Sequence, residues 1–347
     1  MTISYPEFGI IHPKKEGCST MLPPELTPQQ ITLPQSDEHT IVIVTGKELR
    51  HRRFALRIIE TFGNDVVAWY ELDASVKARF VDKNQTRTAA QVQPGASKAQ
   101  KIKAVLFEEL PKRFRKYGAV YTLKRIASLA NDAWYRFGPL RQVGKKMALA
   151  EERLFAKEVE ALQKQTAMQA RKLHPDDVHS EGFREEVQKL DPYFFLTLSG
   201  PLYHQPLLES IRGAAINQHA GHSPLYKGSN TIHWALYHRR LDYVSSTVHI
   251  TNTGADAGQI LRRSNPCMFP EDDVETVFLR TVALGTELMI ESVQGIIADK
   301  HVTVFEQPKG EGLTYLNKSY TFQVAKAIVR DFSAGWLREE LNRERSF

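Results

Sequence analysis

Three polar residues in two short segments have the types and spacing that acid–base chemistry needs. Asn217 and His219 stand two residues apart at the end of a predicted strand, so both side chains point to one side of the chain. Asp256 lies between Gly254 and Gly258, and the two glycines predict a tight turn that aims its carboxylate. Together an amide, an imidazole and a carboxylate can stabilise an oxyanion and move a proton. The alternative interpretation is structural, with a backbone-bonded strand end and an Asp that caps its turn.

The segments around these residues alternate strand and helix patterns, as parallel sheets do. First, a helix over 47–62 separates strands over 40–44 and 65–72. Later, apolar runs predict strands at 193–198, 213–220, 246–250 and 259–264, and helical periodicity predicts helices at 206–211, 231–238 and 272–299. We therefore expect an α/β fold with a Rossmann-like, mostly parallel sheet, helices on both faces, and a helical basic insertion. Ligands of such folds bind at the carboxyl ends of the strands.

The charge of the chain is concentrated in one segment. The 347 residues carry 46 Lys and Arg against 40 Asp and Glu, a net charge of +6. Residues 76–172 alone hold 22 Lys and Arg against 8 Asp and Glu, so this segment is at +14 and the remainder at −8. Predicted helices at 100–116, 122–135 and 145–171 would give the segment a basic exposed side. Two interpretations stay open: an anionic partner for 76–172 (nucleic acid, a membrane surface or a phosphorylated substrate) and a merely solvated face.

Composition excludes several classes of protein. With 42% hydrophobic and 25% charged residues, the chain is neither largely disordered nor fibrous. No apolar run approaches the ~20 residues of a membrane-spanning helix, so no transmembrane segment is expected. Two cysteines are too few for a disulfide framework or a Cys-rich zinc site, and the start lacks a secretory pattern, so we expect a cytoplasmic protein. No metal site is expected, because the six histidines between 204 and 249 lack a helical HxxxH pair with a nearby acid.

Four linked motifs within residues 217–260 resemble the formyltransferase family that uses 10-formyltetrahydrofolate. This family includes the glycinamide ribonucleotide, methionyl-tRNA and amino-sugar formyltransferases. The motifs are Asn-Gln-His at 217–219, Ser-Pro-Leu-Tyr-Lys-Gly at 223–228, Thr-Val-His at 247–249, and Gly-Ala-Asp-Ala-Gly at 254–258 before Ile260. The resemblance covers residues 190–265, is weaker over 40–72 and is absent from 76–185.

The resemblance implies roles for individual residues. Asn217 would donate a hydrogen bond to the developing oxyanion, with His219 assisting there or acting as an acid. Asp256 would hold His219 and take up the proton of the substrate amine, directly or through water. The resemblance also implies folate contacts at Ser199, Gly200, Pro201, Leu202, Thr251, Asn252, Thr253 and Gly254, and substrate contacts at Tyr226, Lys227, Gly228 and Arg50. His249, by contrast, is interpreted as a packed, hydrogen-bonded core histidine.

Two features narrow the substrate that the resemblance implies. The first β-α turn, at 45–50, has one glycine, whereas glycinamide ribonucleotide enzymes have a glycine-rich phosphate loop there. The segment 301–347 is shorter than the C-terminal barrel of methionyl-tRNA enzymes, and its run 312–317 resembles segments of amino-sugar enzymes. We therefore expect a nucleotide-linked amino sugar or a similar phosphorylated small-molecule amine. The alternatives are an RNA-linked amine, with the insertion as an RNA grip, and an inactive formyltransferase-like binding module.

These patterns predict four parts of the chain. They are an extended N-terminal arm (1–38), a catalytic core (39–75 and 186–300), a basic helical insertion (76–185) and a C-terminal segment (301–347). The arm is rich in Pro, Thr, Gln and Ser, so it either covers a groove or a partner subunit or is disordered. A homodimer is left open.

Overall fold

The computed structural model describes residues 25–80 and 140–344. Residues 25–80 and 146–344 belong to one compact unit, and 140–145 belong to a second unit that spans 81–145. The helices predicted at 100–116 and 122–135, the first 24 residues of the predicted arm and most of the basic segment lie outside the described residues.

A nine-stranded sheet forms the centre of the described structure. Its strands are β1 (Pro28–Thr32), β2 (Ile41–Thr45), β3 (Val66–Leu72), β4 (Arg171–Leu173), β5 (Phe194–Leu198), β6 (Ala214–His219), β8 (Ser246–Ile250), β9 (Ile260–Ser264) and β10 (His301–Phe305). They lie in the order β1-β10-β9-β8-β6-β5-β2-β3-β4. The run from β4 to β6 is parallel, and each pair from β6 to β1 is antiparallel. Strands β7 (Tyr226–Gly228) and β11 (Leu313–Tyr315) form a separate parallel pair.

Helices cover both faces of this sheet. They are α1 (Leu49–Phe62), α2 (Leu140–Gln165), α3 (Glu181–Leu190), α4 (Gln205–Leu208), α5 (Thr231–Tyr237), α6 (Val274–Ala298), α7 (Phe322–Ser333) and α8 (Trp336–Glu344). Short 3₁₀ turns occupy Gly63–Asp65, Pro175–His179, Leu241–Tyr243 and Asn317–Ser319. Within 25–80 and 140–344, no helix has both the length and the apolar composition needed to cross a membrane.

Strand β2 shows how the sequence divides between two hydrophobic cores. Ile41 and Ile43 pack on the face covered by α1, α2 and α6. Val42 and Val44 point the opposite way, into the core that includes Phe183 of α3. All residues of β2 are buried, as expected for a central parallel strand with helices on both faces.

The predicted α/β fold is confirmed, including the parallel strands and the helices on both faces. The patterns missed helix α3, strands β1 and β10, and the short strands β4, β7 and β11. Helix α2 and strand β4 pack into the sheet although they fall within 76–185, the range expected as an insertion. The four domain boundaries themselves stay predictions.

Helix α6 lies close to β6 and β8 because it has no side chain at Gly285. A Cβ there would overlap Ser246 Oγ and Gln218 Nε2. Gln218 is buried and its Nε2 donates to the carbonyl of Val282 in α6 at 2.7 Å. The helix is thereby fixed against the strand that carries Asn217.

Gly285→Ala is expected to destabilise the protein by about 1–3 kcal/mol, because overpacking outweighs the better helix propensity of Ala. The matched control is Gly295→Ala in the same helix, where the nearest atom to an added Cβ is 3.9 Å away. That variant should gain up to about 1 kcal/mol. Urea unfolding measures both, and equal effects of the two substitutions would contradict the packing argument.

Candidate active site

Four polar side chains converge where the parallel part of the sheet meets the antiparallel part. Strands β6 and β8 are antiparallel, and their register places Asn217 directly opposite His249. His219 ends β6. After β8 the chain turns back over 251–258 and brings Asp256 to the same point. The structure therefore brings together the three residues expected to carry the chemistry, and adds His249.

The carboxylate of Asp256 is the centre of this cluster. Its Oδ2 lies 3.3 Å from His219 Nδ1 and accepts the backbone N–H of Gly228 at 2.8 Å. Its Oδ1 accepts from Asn217 Nδ2 at 3.4 Å and lies 3.5 Å from His249 Nε2. Together the two oxygens contact groups from three separate strands, β6, β7 and β8.

The turn that carries Asp256 has the tight geometry expected from its two glycines. Asp256 itself takes the left-handed conformation, with φ 48°, so the strained residue is the acid rather than either glycine. Gly258 is required for another reason, since a Cβ there would overlap the carbonyl oxygen of Ile250. Gln307 Nε2 donates to the carbonyls of Asp256 and Gly258 at 2.8 and 2.6 Å. The turn is held from outside as well as by its own sequence.

Asp256 is ionised in this environment. Burial disfavours its charged form, but the neighbouring His219 and the hydrogen bond from the Gly228 N–H outweigh burial and hold the pKa of Asp256 well below its usual range. A carboxylate with so low a pKa exists as the anion at neutral pH.

The two β6 side chains have defined orientations. Thr197 Oγ1 donates to Asn217 Oδ1 at 2.8 Å, so the Asn217 amide nitrogen faces His249 Nε2 at 3.1 Å. His219 Nε2 donates to the carbonyl of Tyr226 at 2.9 Å, while its Nδ1 faces Asp256. Both ring nitrogens of His219 face oxygen atoms, so the ring is held between the Tyr226 carbonyl and the Asp256 carboxylate.

His249 is buried and hydrogen-bonded, as the core interpretation stated, but it also belongs to the cluster. Its Nδ1 lies 2.9 Å from the carbonyl oxygen of Ile250, which accepts when Nδ1 carries the proton. Its Nε2 can then accept from Asn217. The signal that could have found this role was strand pairing, since a β8 antiparallel to β6 places His249 opposite Asn217.

The expected folate residues lie in two exposed or half-buried segments next to this cluster. Ser199, Gly200, Pro201 and Leu202 directly follow β5, whose last residue pairs with Gln218 in β6. Ser199 and Gly200 have positive φ angles of 69° and 134°. Thr251, Asn252, Thr253 and Gly254 form the first half of the 251–258 turn, which carries Asp256 in its second half. The role of both segments stays a prediction.

The expected substrate residues divide into two groups. Tyr226, Lys227 and Gly228 form β7, which contacts the cluster through the Tyr226 carbonyl and the Gly228 N–H. Arg50 lies elsewhere, at the start of α1, where its guanidinium pairs with Glu151 and lies 5.7 Å from the ring centre of Phe278. No contact described here joins Arg50 to Asp256.

Two further buried histidines are neutral. Burial, reinforced by Arg263, lowers the pKa of His222 to about 3. Burial and the positive charge of Arg50 lower the pKa of His233 to about 4. Across 25–80 and 140–344, no group of His, Cys, Asp and Glu has the arrangement of a metal site. A cytoplasmic location stays a prediction.

Comparison with known proteins identifies the family of the central segment. Residues 145–293 match the sequence model of the formyl transferase family, so the resemblance expected from the motifs is confirmed. The match also includes residues 145–185, where no resemblance was expected. A methionyl-tRNA formyltransferase of Thermodesulfovibrio yellowstonii is 30% identical over 134 residues, which are 37% of this chain and 43% of that protein. One from Desulfotalea psychrophila is 27% identical over 169 residues, 46% of this chain and 51% of that protein. The chain spans about half the length of these curated relatives.

Two solved structures show more distant similarity. The N-formyltransferase of Helicobacter canadensis, solved with folinic acid and dTDP-3-aminofucose, is 12% identical with a TM-score of 0.43 over 81% of this chain and 72% of that one. The phosphoribosylglycinamide formyltransferase of Bacillus halodurans is 14% identical with a TM-score of 0.41 over 75% of this chain and 96% of that one. Similarity at this level does not assign a substrate.

His233→Phe is expected to remove an acid sensitivity of the fold. The folded-state pKa of about 4 lies below the unfolded value of about 6.5, so the unfolded chain binds the proton first and the wild type loses stability as pH falls between those values. At pH 5 the loss is about 2 kcal/mol. Urea unfolding at pH 8 and pH 5 measures it, and pH 8, where neither state is protonated, isolates the packing difference. A variant with the wild-type pH dependence would contradict the argument.

Proposed function

We propose that this chain, whose residues 145–293 match the formyl transferase family, moves a formyl group from 10-formyltetrahydrofolate to a primary amine. The observation that carries the proposal is the single cluster of Asn217, His219 and ionised Asp256 at the end of β6. The substrate that we favour is a nucleotide-linked amino sugar, which becomes a formamide.

The reaction requires one bond to form, one to break and one proton to move. The amine nitrogen attacks the formyl carbon, and negative charge develops on the formyl oxygen. When the carbonyl re-forms, the bond from the formyl carbon to N10 of the folate breaks. The amine loses one proton and N10 gains one, so the products are a formamide and tetrahydrofolate.

Asn217 is placed to stabilise the developing oxyanion. Its amide nitrogen is oriented by the Thr197 hydrogen bond, and its 3.4 Å contact with Asp256 is long for an N–H donor. That weak bond can be exchanged for one to the formyl oxygen, where charge makes it stronger. Asn217 therefore supplies a donor whose full strength is used only as charge develops.

Asp256 and His219 account for the proton transfers. The ionised carboxylate takes up the amine proton, directly or through water, and its contact with His219 Nδ1 orients the ring. His219 would assist at the oxyanion or act as the acid. His249 completes the arrangement by holding the Asn217 amide.

The segments expected to bind the folate fit that assignment. The side-chain oxygen of Thr251 is buried without a hydrogen-bond partner, so a ligand atom could satisfy it. Ser199 and Gly200 expose backbone in left-handed conformations directly beside the end of β6. The folate supplies the activated formyl group, and these residues would hold it against the catalytic cluster.

The start of α1 argues against glycinamide ribonucleotide. The first free N–H of the helix, at Leu49, donates to Glu151 Oε2 at 3.0 Å, and the adjacent Arg50 pairs with the same carboxylate. A helix N-terminus is where a phosphate would bind, but here an internal carboxylate holds that position. A substrate phosphate at this turn would have to displace the Glu151 carboxylate from the Leu49 N–H and from Arg50.

An aromatic cluster beside β7 supports a sugar or nucleotide substrate. Tyr226 stacks on Tyr315 with 5.6 Å between ring centres, and Trp234 stacks on Tyr315 at 4.9 Å. Trp234 Nε1 is buried without a hydrogen-bond partner, and Tyr237 is 42% exposed at the edge of the cluster. Aromatic faces with a nearby donor suit sugar rings and nucleobases.

The second candidate substrate is the amine of methionyl-tRNA. It is favoured by the relatives of known activity, which are methionyl-tRNA formyltransferases. The basic segment 76–172 would then contact the RNA.

Mass spectrometry distinguishes the candidates. The protein is incubated with 10-formyltetrahydrofolate and one amine at a time: dTDP-3-aminofucose, a UDP-linked amino sugar, methionyl-tRNA or glycinamide ribonucleotide. We expect a gain of one formyl group on an amino sugar. A gain on methionyl-tRNA alone would support the second candidate.

A homodimer is a separate prediction that this experiment does not address.

Asp256→Asn should lower kcat about 10²–10⁴-fold, because the amide cannot accept the amine proton. The protein should stay folded, since Asn keeps the shape of the side chain. Asp331→Asn is the matched control: Asp331 lies in α7, pairs with Arg239 and does not contact the cluster. Formyl transfer is followed as tetrahydrofolate release, and full turnover by Asp256→Asn would contradict the mechanism.

A further inference from the structure

Strand β7 is placed between the catalytic residues and a segment outside the family match. On one side, its Tyr226 carbonyl accepts from His219 and its Gly228 N–H donates to Asp256. On the other side, its flanking backbone groups bond to β11: the Leu313 N–H donates to the Leu225 carbonyl at 3.0 Å, and the Ser229 N–H donates to the Tyr315 carbonyl at 2.8 Å. The backbone that touches the catalytic pair is therefore positioned by β11.

The covering segment, defined as residues 306–317, follows β7 closely. A Cβ at Gly312 would overlap the backbone of Pro224, and Lys227 Nζ donates to the Glu311 carbonyl at 3.0 Å. Asn230 Nδ2 donates to Asn317 Oδ1 at 3.0 Å. These contacts run along the whole length of the 223–230 loop, so the covering segment and the loop form one unit.

Gln307, in the covering segment, contacts the 251–258 turn that carries Asp256. Its Nε2 donates to the carbonyl of Asp256, the left-handed residue of the 251–258 turn, and to the carbonyl of Gly258, two residues further along. The amide can make both bonds because one nitrogen carries two hydrogens. Its Oε1 is buried and has no hydrogen-bond partner, so these two bonds are what fix the side chain.

We propose that Gln307 is a positioning residue, which holds the Asp256 turn so that the carboxylate faces both His219 and the Gly228 N–H. The inference rests on the proposed formyl transfer for its kinetic consequence, but its structural consequence can be measured without turnover. Because Gln307 lies outside 145–293, the matched family segment alone does not complete the site.

The geometry gives Gln307 a role beyond packing. Asp256 has a backbone conformation that costs energy for a residue other than glycine. Two hydrogen bonds to the turn offset that cost and select the conformation in which the carboxylate is aligned. Displacing a reacting group by about 1 Å can cost about 10²-fold in rate.

Two variants separate positioning from general stability. Gln307→Ala removes both bonds and should lower kcat about 10–100-fold with little change in KM. Gln307→Glu keeps the size but presents carboxylate oxygens to two carbonyls, and its negative charge near Asp256 should move the acid limb of the kcat profile to higher pH. The control is Gln259→Ala: Gln259 joins the same two segments by bonding to Glu306, but does not contact Asp256.

A second measurement does not require activity. The Gly228 N–H donates to Asp256 Oδ2, so its hydrogen-exchange protection reports whether the carboxylate is in place. We expect the protection of the Gly228 N–H to fall about tenfold in Gln307→Ala, which corresponds to roughly 1.4 kcal/mol. It should stay unchanged in Gln259→Ala. Kinetics use 10-formyltetrahydrofolate with dTDP-3-aminofucose, or with the amine that the panel identifies.

The outcomes are distinguishable. If wild type transfers no formyl group to any amine of the panel, the proposed function is wrong, and the Gly228 exchange still tests the positioning. Unchanged Gly228 protection in Gln307→Ala would overturn the inference. So would equal loss of protection or of kcat in Gln259→Ala, because that result would mean that any tether between the two segments has the same effect.

Discussion

A charged carboxylate that is largely removed from water is the constraint on which the rest of the site depends. The side chain of Asp256 is 15% exposed, and an ion at such a position is stable only if hydrogen-bond donors replace the lost water. Those donors come from Gly228, Asn217 and His219, on two strands that are not adjacent in sequence to the turn. Every element that carries a donor must therefore be placed accurately for the acid to remain ionised.

The change of strand direction at β6 is what makes this placement possible. Up to β6 the strands are parallel, so their carboxyl ends form one edge, and His219 lies at that edge. Strand β8 runs the opposite way and ends beside Ile216. The chain must then turn back along the sheet, and the return path is the 251–258 turn with Asp256 near its end. If β8 ran parallel to β6, the turn after β8 would lie at a different position along β6. Ligands of open sheets bind in the crevice where the strand order or direction changes.

The parts of this arrangement that could be predicted are local in sequence. Short apolar runs predict the buried strands β2 and β5, and the glycines on either side of Asp256 predict its turn. The motifs within 217–260 added the family and the three expected catalytic residues. Pairings between distant segments left no such signal. The polar strand β1 is stabilised by β10, and the three-residue β11 by β7, so neither has an alternating pattern of its own. His249 and Gln307 were missed for the same reason, because their roles follow from which segments meet.

Several charged side chains of the described residues are paired within the chain. Two basic residues at the end of the basic segment form ion pairs with acids of the core: Arg171 with Glu186, and Lys172 with Asp73. Part of the positive charge of the segment is therefore neutralised within the chain. Exposed pairs of this kind contribute at most about 1 kcal/mol each, and their main effect is to use basic side chains internally. Glu151 does the same for the start of α1, where it occupies the position favoured by a phosphate. Under the proposed function, the amine substrate must therefore be recognised through groups other than this anion position. The aromatic rings beside β7 are the described groups with the chemistry to do so, and they adjoin the same strand that aligns His219 and Asp256.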